Sequence, residues 1–213
     1  MHVRKFLSTL FLGAMVFGAA TIGRVQADPL PIDGGLTSVK LTSFSTLVGV
    51  GLAAAGLGDA SISPGSDGTP LAYFPVTGGA IDTGTFAGTI EHDGSGLSLT
   101  KDGTTVNLEN FVIDTGALSL TGLVNGGGPL PLFDIALSGN PFLPFQLNLS
   151  ATAGAALAGV FGIPNLTGAE IGLANTVPMT TAVPEPSTYA MLAAGLLAVG
   201  LVGWRRTRSI NQA

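Results

Sequence analysis

Between about Ala60 and Ser138 the chain alternates apolar and polar side chains, with glycine-containing turn signals roughly every ten residues. Thr85-Phe86-Ala87-Gly88-Thr89-Ile90 reads as a strand, and Asp93-Gly94-Ser95-Gly96 as the turn that follows it. Leu97-Ser98-Leu99-Thr100 alternates with period two, and Lys101-Asp102-Gly103 turns the chain again. Thr104 to Leu108 then returns with Val106 and Leu108 on one face. Asp-Gly between short alternating runs is a hairpin signal, because the tight turns that match sheet twist need positive φ at their centre. Phe111-Val112-Ile113, Ala117–Val124 and Leu132–Leu137 extend the series. The pattern predicts a mainly β fold, an antiparallel sandwich or partly closed barrel of about seven to nine strands.

Two segments depart from period two and supply one or two short helices. Phe44–Leu57 contains Leu47, Val48, Leu52 and three alanines, which suit a short helix, although Gly49 and Gly51 weaken it. Ala151–Phe161, with five alanines, predicts a helix that Gly162 and Pro164 end. Asn165–Val177 reads as a closing strand.

The two ends follow neither pattern. Arg4 and Lys5 precede an uncharged run from Phe6 to Ile22, and Val25-Gln26-Ala27 then offers small side chains at a cleavage position. This basic head, apolar core and small-residue site predicts a signal peptide over 1–27, cut by signal peptidase after Ala27. At the other end, Tyr189–Trp204 is uncharged and apolar, and predicts a transmembrane helix about 24 Å long, enough for a thin hydrocarbon core. Arg205, Arg206 and Arg208 follow directly and form a basic stop-transfer cluster that holds that end on the cytoplasmic side. Immediately before the apolar run lies Val183-Pro184-Glu185-Pro186-Ser187-Thr188, whose prolines hold their neighbours extended and force any helix to start later. The division expected is therefore a signal peptide, a β-rich exported domain over 28–182, and a tail over 183–213 made of the motif 183–188, the helix 189–204 and the basic end 205–208.

This tail resembles the PEP-CTERM sorting signal: a Pro-Glu-Pro triplet, an apolar helix and an arginine cluster, in that order. The resemblance implies an exosortase, an integral membrane enzyme that recognises and removes the tail. It also implies a Gram-negative host that makes extracellular polysaccharide, a possible contact of the mature protein. Together the two ends predict an inner-membrane intermediate on the way to the cell surface or extracellular matrix.

Composition narrows the chemistry of the middle. Between Asp28 and Ala182 there are twelve acidic residues against Lys40 and Lys101 alone, so nucleic acid is not an expected partner. The chain has no cysteine, which removes disulfides, thiolate metal sites and a thiol nucleophile. His92 is the single histidine downstream of Ala27, so histidine-built metal sites are excluded by count. A Ser-His-Asp hydrolase would have to use His92, and no Gly-x-Ser-x-Gly elbow occurs. Gly49-Val50-Gly51-Leu52-Ala53-Ala54 fits a dinucleotide pattern only formally, lacking a βαβ context. Asp82, Glu91, Asp93 and Asp102 lack EF-hand spacing and read as solvated turn acids.

A second resemblance rests on Phe74-Pro75-Val76-Thr77-Gly78-Gly79, Gly88-Thr89-Ile90-Glu91-His92, Thr105-Val106-Asn107-Leu108 and Phe111-Val112-Ile113-Asp114. These stretches are similar to the haem-transport-associated domains of some surface proteins. That resemblance implies a tyrosine ligand to haem iron supported by a histidine, and makes Tyr73 and His92 the weak cofactor-binding candidates. The expectation from the whole sequence is a non-enzymatic surface or matrix protein with a structural or adhesive β-domain, no cofactor, no metal and no catalytic residues. A haem-binding module stands as the alternative, and a hydrolase centred on His92 as a remote one.

Overall fold

The computed structural model describes residues 29–181, Tyr189 and residues 191–197. The predicted signal peptide 1–27, the motif 183–188 and the basic end 205–208 lie outside the described residues. Of the predicted membrane helix 189–204, the described residues Tyr189 and 191–197 are helical. No helix among the described residues is long and apolar enough to cross a membrane.

Eleven strands form one antiparallel sheet: β1 (Leu30–Lys40), β2 (Ala53–Gly58), β3 (Ser61–Pro64), β4 (Pro70–Pro75), β5 (Gly78–Ile81), β6 (Gly88–Lys101), β7 (Thr104–Asp114), β8 (Ser119–Val124), β9 (Pro129–Leu137), β10 (Phe145–Leu149) and β11 (Glu170–Thr180). Helix α1 (Phe44–Gly49) joins β1 to β2, and α2 (Ala151–Phe161) joins β10 to β11. Neighbours run β11-β10-β9-β8-β7-β6-β5-β1, and β1 pairs with β11 from Ile32↔Thr180 to Lys40↔Leu173. The sheet thus returns on itself as a ring.

One side of the ring is split, and two irregularities explain where. The lower part of β6 pairs with β5 (Gly78↔Glu91 to Ile81↔Gly88), and its upper part with β2 (Ala53↔Thr100 to Gly58↔Ser95). The register of β6 slips between His92 and Gly96, where its partner changes. β1 behaves alike: Leu30 and Pro31 pair with β5, Leu36 to Lys40 pair with β4, and its ladder with β11 slips between Ile32 and Gly34. A bulge bends its strand and increases local twist, so each long strand leaves β5 and swings to a new neighbour. β3 extends the flap from β4. The four-residue β5 is the staple, held by glycine: a Cβ at Gly79 would lie 2.1 Å from the Thr89 carbonyl oxygen, and one at Gly88 2.0 Å from that of Ala80.

The inside of the ring is apolar. Val39, Ala72, Phe74, Ile90, Leu99, Val106, Phe111, Ile113, Leu120, Leu147 and Ile171 are buried there, with Phe74 and Phe111 meeting edge to face at 5.4 Å. α2 packs beside β9 and buries Ala153, Leu157 and Phe161. Ser150 caps its first turn by accepting from the Ala153 amide at 3.1 Å, and Gly162 ends it in the left-handed region (φ 62°).

Several expectations are met and several are corrected. The fold is mainly antiparallel β as expected, but the strands number eleven rather than seven to nine, and in place of a sandwich or partly closed barrel they form a split ring. The seven runs read from the sequence fall on five strands, β6, β7, β8, β9 and β11. The strands not read are β1, β4, β10 and the short β2, β3 and β5, the last three of four to six residues each with an Ala, Gly and Ser content that gives little alternation. The hairpin at Asp102-Gly103 is present with both residues at positive φ (50° and 81°). Asp93-Gly94-Ser95 is not a turn but the bulge inside β6, because flanking partners hold the strand extended on both sides of it. Thr85–Ala87 belongs to the loop before β6. The predicted helix at Ala151–Phe161 matches α2, whereas Phe44–Leu57 divides into α1 and the start of β2.

Candidate functional site

Thr37 and His92 belong to the inward phase of their strands. On β1, Thr37 falls in step with buried Val39; on β6, His92 falls in step with buried Ile90 and lies opposite Phe111. His92 is 1% exposed and Thr37 4%. The imidazole Nδ1 lies 3.1 Å from the Phe111 carbonyl oxygen, which only accepts, so Nδ1 carries a proton. Nε2 lies 2.7 Å from Thr37 Oγ1, which in turn is 2.9 Å from Thr176 Oγ1 on β11. The row ties four strands, β7, β6, β1 and β11, across the ring.

The row has two proton arrangements. The single hydroxyl proton of Thr37 faces two acceptors, Nε2 and Thr176 Oγ1. Given to Nε2, it leaves a neutral imidazole; given to Thr176, it requires a proton on Nε2 and hence a cationic ring. Burial holds the His92 pKa below the usual imidazole value, against smaller opposing effects of the Phe111 carbonyl and the Asp93 charge. The neutral arrangement therefore prevails at neutral pH. An apolar cavity of about 50 Å³ adjoins the row, bordered by Phe74, Phe111, Phe133 and Leu147 as well as Thr37 and His92. No buried side-chain polar atom among the described residues lacks a partner.

Tyr73 is placed elsewhere. It stands on β4 between buried Ala72 and Phe74, half-buried, opposite Ser38 of β1 and Ser61 of β3. Since successive strand residues point to opposite faces, Tyr73 faces outward while His92 faces inward. The wall of the ring separates them. Both imidazole nitrogens are already engaged, and the adjoining cavity is far below the 300 Å³ or so of an ordinary small-molecule pocket. These residues do not fit a haem ligated by Tyr73 and supported by His92.

Acidic residues are spread over the outside. Asp82 accepts from the Gly84 and Thr85 amides at 2.8 Å each, and these bonds hold its carboxyl below the usual range. Asp114 accepts from the Gly116 and Ala117 amides at 2.9 and 2.7 Å. No group of three or more His, Cys, Asp or Glu comes together among the described residues. Sequence reasoning missed Thr37 and Thr176, although Thr37 in Leu36-Thr37-Ser38-Val39-Lys40-Leu41 occupies the phase of Val39 and Leu41. A hydroxyl on the buried phase of a strand needs a buried partner.

No curated protein matches the chain. Among solved structures, the C-terminal domain of HtaA from Corynebacterium glutamicum is similar at a TM-score of 0.49 and 13% identity, over 70% of this chain and 98% of that one. Residues 182–208 match the model of the PEP-CTERM protein-sorting motif. The match begins just beyond the last residue of the ring domain that the structure describes. The chain thus carries the signal of a protein that a membrane exosortase processes, exported to the cell surface through a membrane-anchored intermediate.

Proposed function

We propose that the ring is the mature, non-enzymatic part of this exported protein, and that it has a structural or adhesive role on the cell surface or in the surrounding polysaccharide. The observation that carries this reading is the join of a self-contained ring to a sorting motif. Every strand of the ring lies between Leu30 and Thr180, and the motif starts at residue 182. Supporting it, the interior is filled by side chains whose polar atoms are satisfied, which leaves the acidic exterior as the surface available to partners. In this reading signal peptidase cuts after Ala27, and the exosortase acts at Pro184-Glu185-Pro186 while Arg205, Arg206 and Arg208 hold the tail in the inner membrane.

Deleting the gene and restoring either the full chain or a chain ending at Thr181 tests the proposal. The full chain is expected to restore surface or matrix material and cell attachment, and to yield a processed species lacking the tail. Equal restoration by the truncated chain would remove sorting from the mechanism. Normal attachment and matrix in the deletion strain would remove the structural or adhesive role.

A further inference from the structure

The two ends of the ring carry different side chains. Loops β5–β6, β7–β8 and β9–β10 share one end with the start of β1 and the finish of β11, as the antiparallel registers require. The sorting tail therefore leaves from this end. The four most exposed large apolar side chains of the ring domain also lie here: Phe142 (81%), Leu137 (76%), Phe86 (69%) and Met179 (66%). Leu118 joins them from the β7–β8 loop.

These side chains are held outward by ordered backbone. Phe86 and Leu118 both have positive φ, 59° and 52°, which is unfavourable for residues with bulky side chains. The Phe86 amide donates to the Asp82 carbonyl at 2.7 Å, and the Thr115 hydroxyl donates to the Phe86 carbonyl at 2.6 Å, so the two loops are tied together. The Ile135 amide donates to the Leu118 carbonyl at 2.8 Å. Asn140 Oδ1 accepts from the Phe142 amide at 2.9 Å, shaping the β9–β10 loop. Single exposed apolar residues are ordinary, but a cluster on one end, on loops fixed by hydrogen bonds, marks a contact surface.

We infer that this end is a membrane-docking face, on which the apolar rim rests in the lipid interface while the tail anchors the chain. The inference rests on the reading of the tail as a membrane anchor. Only the seven residues 182–188 separate the ring from the apolar run that begins at Tyr189, and even fully extended they span no more than about 25 Å. The rim is thus confined to the neighbourhood of the bilayer surface. The charges nearby select the lipid: Asp33, Asp82, Asp114 and Asp134 lie at or near this end, and both lysines of the ring domain lie at the other. Docking is therefore apolar, favours zwitterionic headgroups and is weakened by anionic ones.

Brominated lipids test this in the full chain, whose single tryptophan is Trp204. Two reporters, Phe142→Trp and Val48→Trp, are each made with Trp204→Phe and reconstituted into phosphatidylcholine–phosphatidylethanolamine vesicles brominated on the acyl chains. The unaltered chain reports the tail itself. The Phe142→Trp reporter is expected to be blue-shifted and quenched to a degree comparable with Trp204, with Val48→Trp unquenched, and phosphatidylglycerol is expected to reduce the quenching. Quenching at Trp204 without quenching of Phe142→Trp overturns the inference and leaves the rim to a protein partner. Equal quenching of both reporters, or quenching of Phe142→Trp that requires phosphatidylglycerol, overturns it as well. Quenching of Phe142→Trp with Trp204 unquenched supports docking and removes the anchor reading alone. No quenching at either position removes both.

Discussion

The two ends of the ring use the same kind of loop for opposite purposes. At the far end, α1, the turn after it and α2 bury their larger apolar side chains Leu47, Leu52, Leu157 and Phe161, and leave only the smaller Val48 and Val160 exposed, at 53% and 52%. Both lysines lie there and both are paired. Lys40 bonds Asp67 and holds its carboxyl down to about 2. Lys101 bonds Asp102 at 2.9 Å and the Phe161 carbonyl at the C-terminus of α2 at 3.2 Å. At the tail end the loops are as well hydrogen-bonded, yet they expose Phe86, Leu118 and Phe142 and carry no basic side chain. Good local hydrogen bonding therefore does not distinguish a loop that closes a core from one that presents a surface. The direction of the apolar side chain does.

The largest way to break the contrast is to open the ring itself, so that neither end is defined. Gly88→Val places a branched side chain against the Ala80 carbonyl at the staple. It is expected to lower stability by about 3 kcal/mol or more, read as a fall in the urea midpoint; a midpoint unchanged from the parent would show that β5 does not hold the ring.

Next in size is the row of polar groups inside. His92→Leu leaves the Phe111 carbonyl and the Thr37 hydroxyl without their ring partner, and is expected to lower stability by about 2 kcal/mol at neutral pH. The parent should also respond to acid in a way the variant does not. The folded-state pKa of His92 lies below the usual 6.5, so its contribution is complete above that value and declines as pH falls through it toward the folded value. The slope is at most about 1.4 kcal/mol per pH unit. Urea titrations between pH 5 and 8 in parent and variant measure it, and parallel curves would remove His92 from the acid response.

A smaller effect belongs to the far end alone. Ser150→Ala removes the cap of α2 and the bond from Ser150 Oγ to the Pro131 carbonyl at 2.7 Å, with an expected loss of about 1 to 2 kcal/mol. The smallest stability effect belongs to the rim. Phe86→Ser with Phe142→Ser should leave stability within about 0.5 kcal/mol, since neither side chain is buried. A larger loss would mean that these residues support the fold, and would collapse the distinction between the two ends.

The sequence showed half of this arrangement. Alternation and Asp-Gly turns located most of β6 to β9, and alanine content with Gly162 located α2, because those elements carry their own local signals. The sorting tail was readable for the same reason, as three physically separate features in a fixed order. β2, β3 and β5 left no trace, since each is extended only because a longer strand beside it supplies hydrogen bonds. Asp93-Gly94-Ser95 has the composition of a turn, and only the exchange of β5 for β2 along β6 makes it a bulge. The opposed directions of Tyr73 and His92 likewise needed strand phase as well as residue type. The rim was hidden most of all, because Phe86 and Leu118 sit in runs that read as strands and point outward only through positive φ.

The pairing of β1 with β11 also sets an order in time. A chain that emerges N-terminus first, from a ribosome or a membrane channel, presents β1 at the outset and β11 last. Until the final strand arrives, one edge of β1 stands open, and an open strand edge invites pairing with another chain. Non-local closure of this kind is slow, so β1 must remain safe while it waits. Its own sequence provides for that: Pro31 cannot donate to a ladder, Gly34 and Gly35 resist a flat strand, and Asp33 and Lys40 put charge beside the gap. The residues that make β1 hard to recognise as a strand are the ones that keep it from pairing with a stranger before its partner is made.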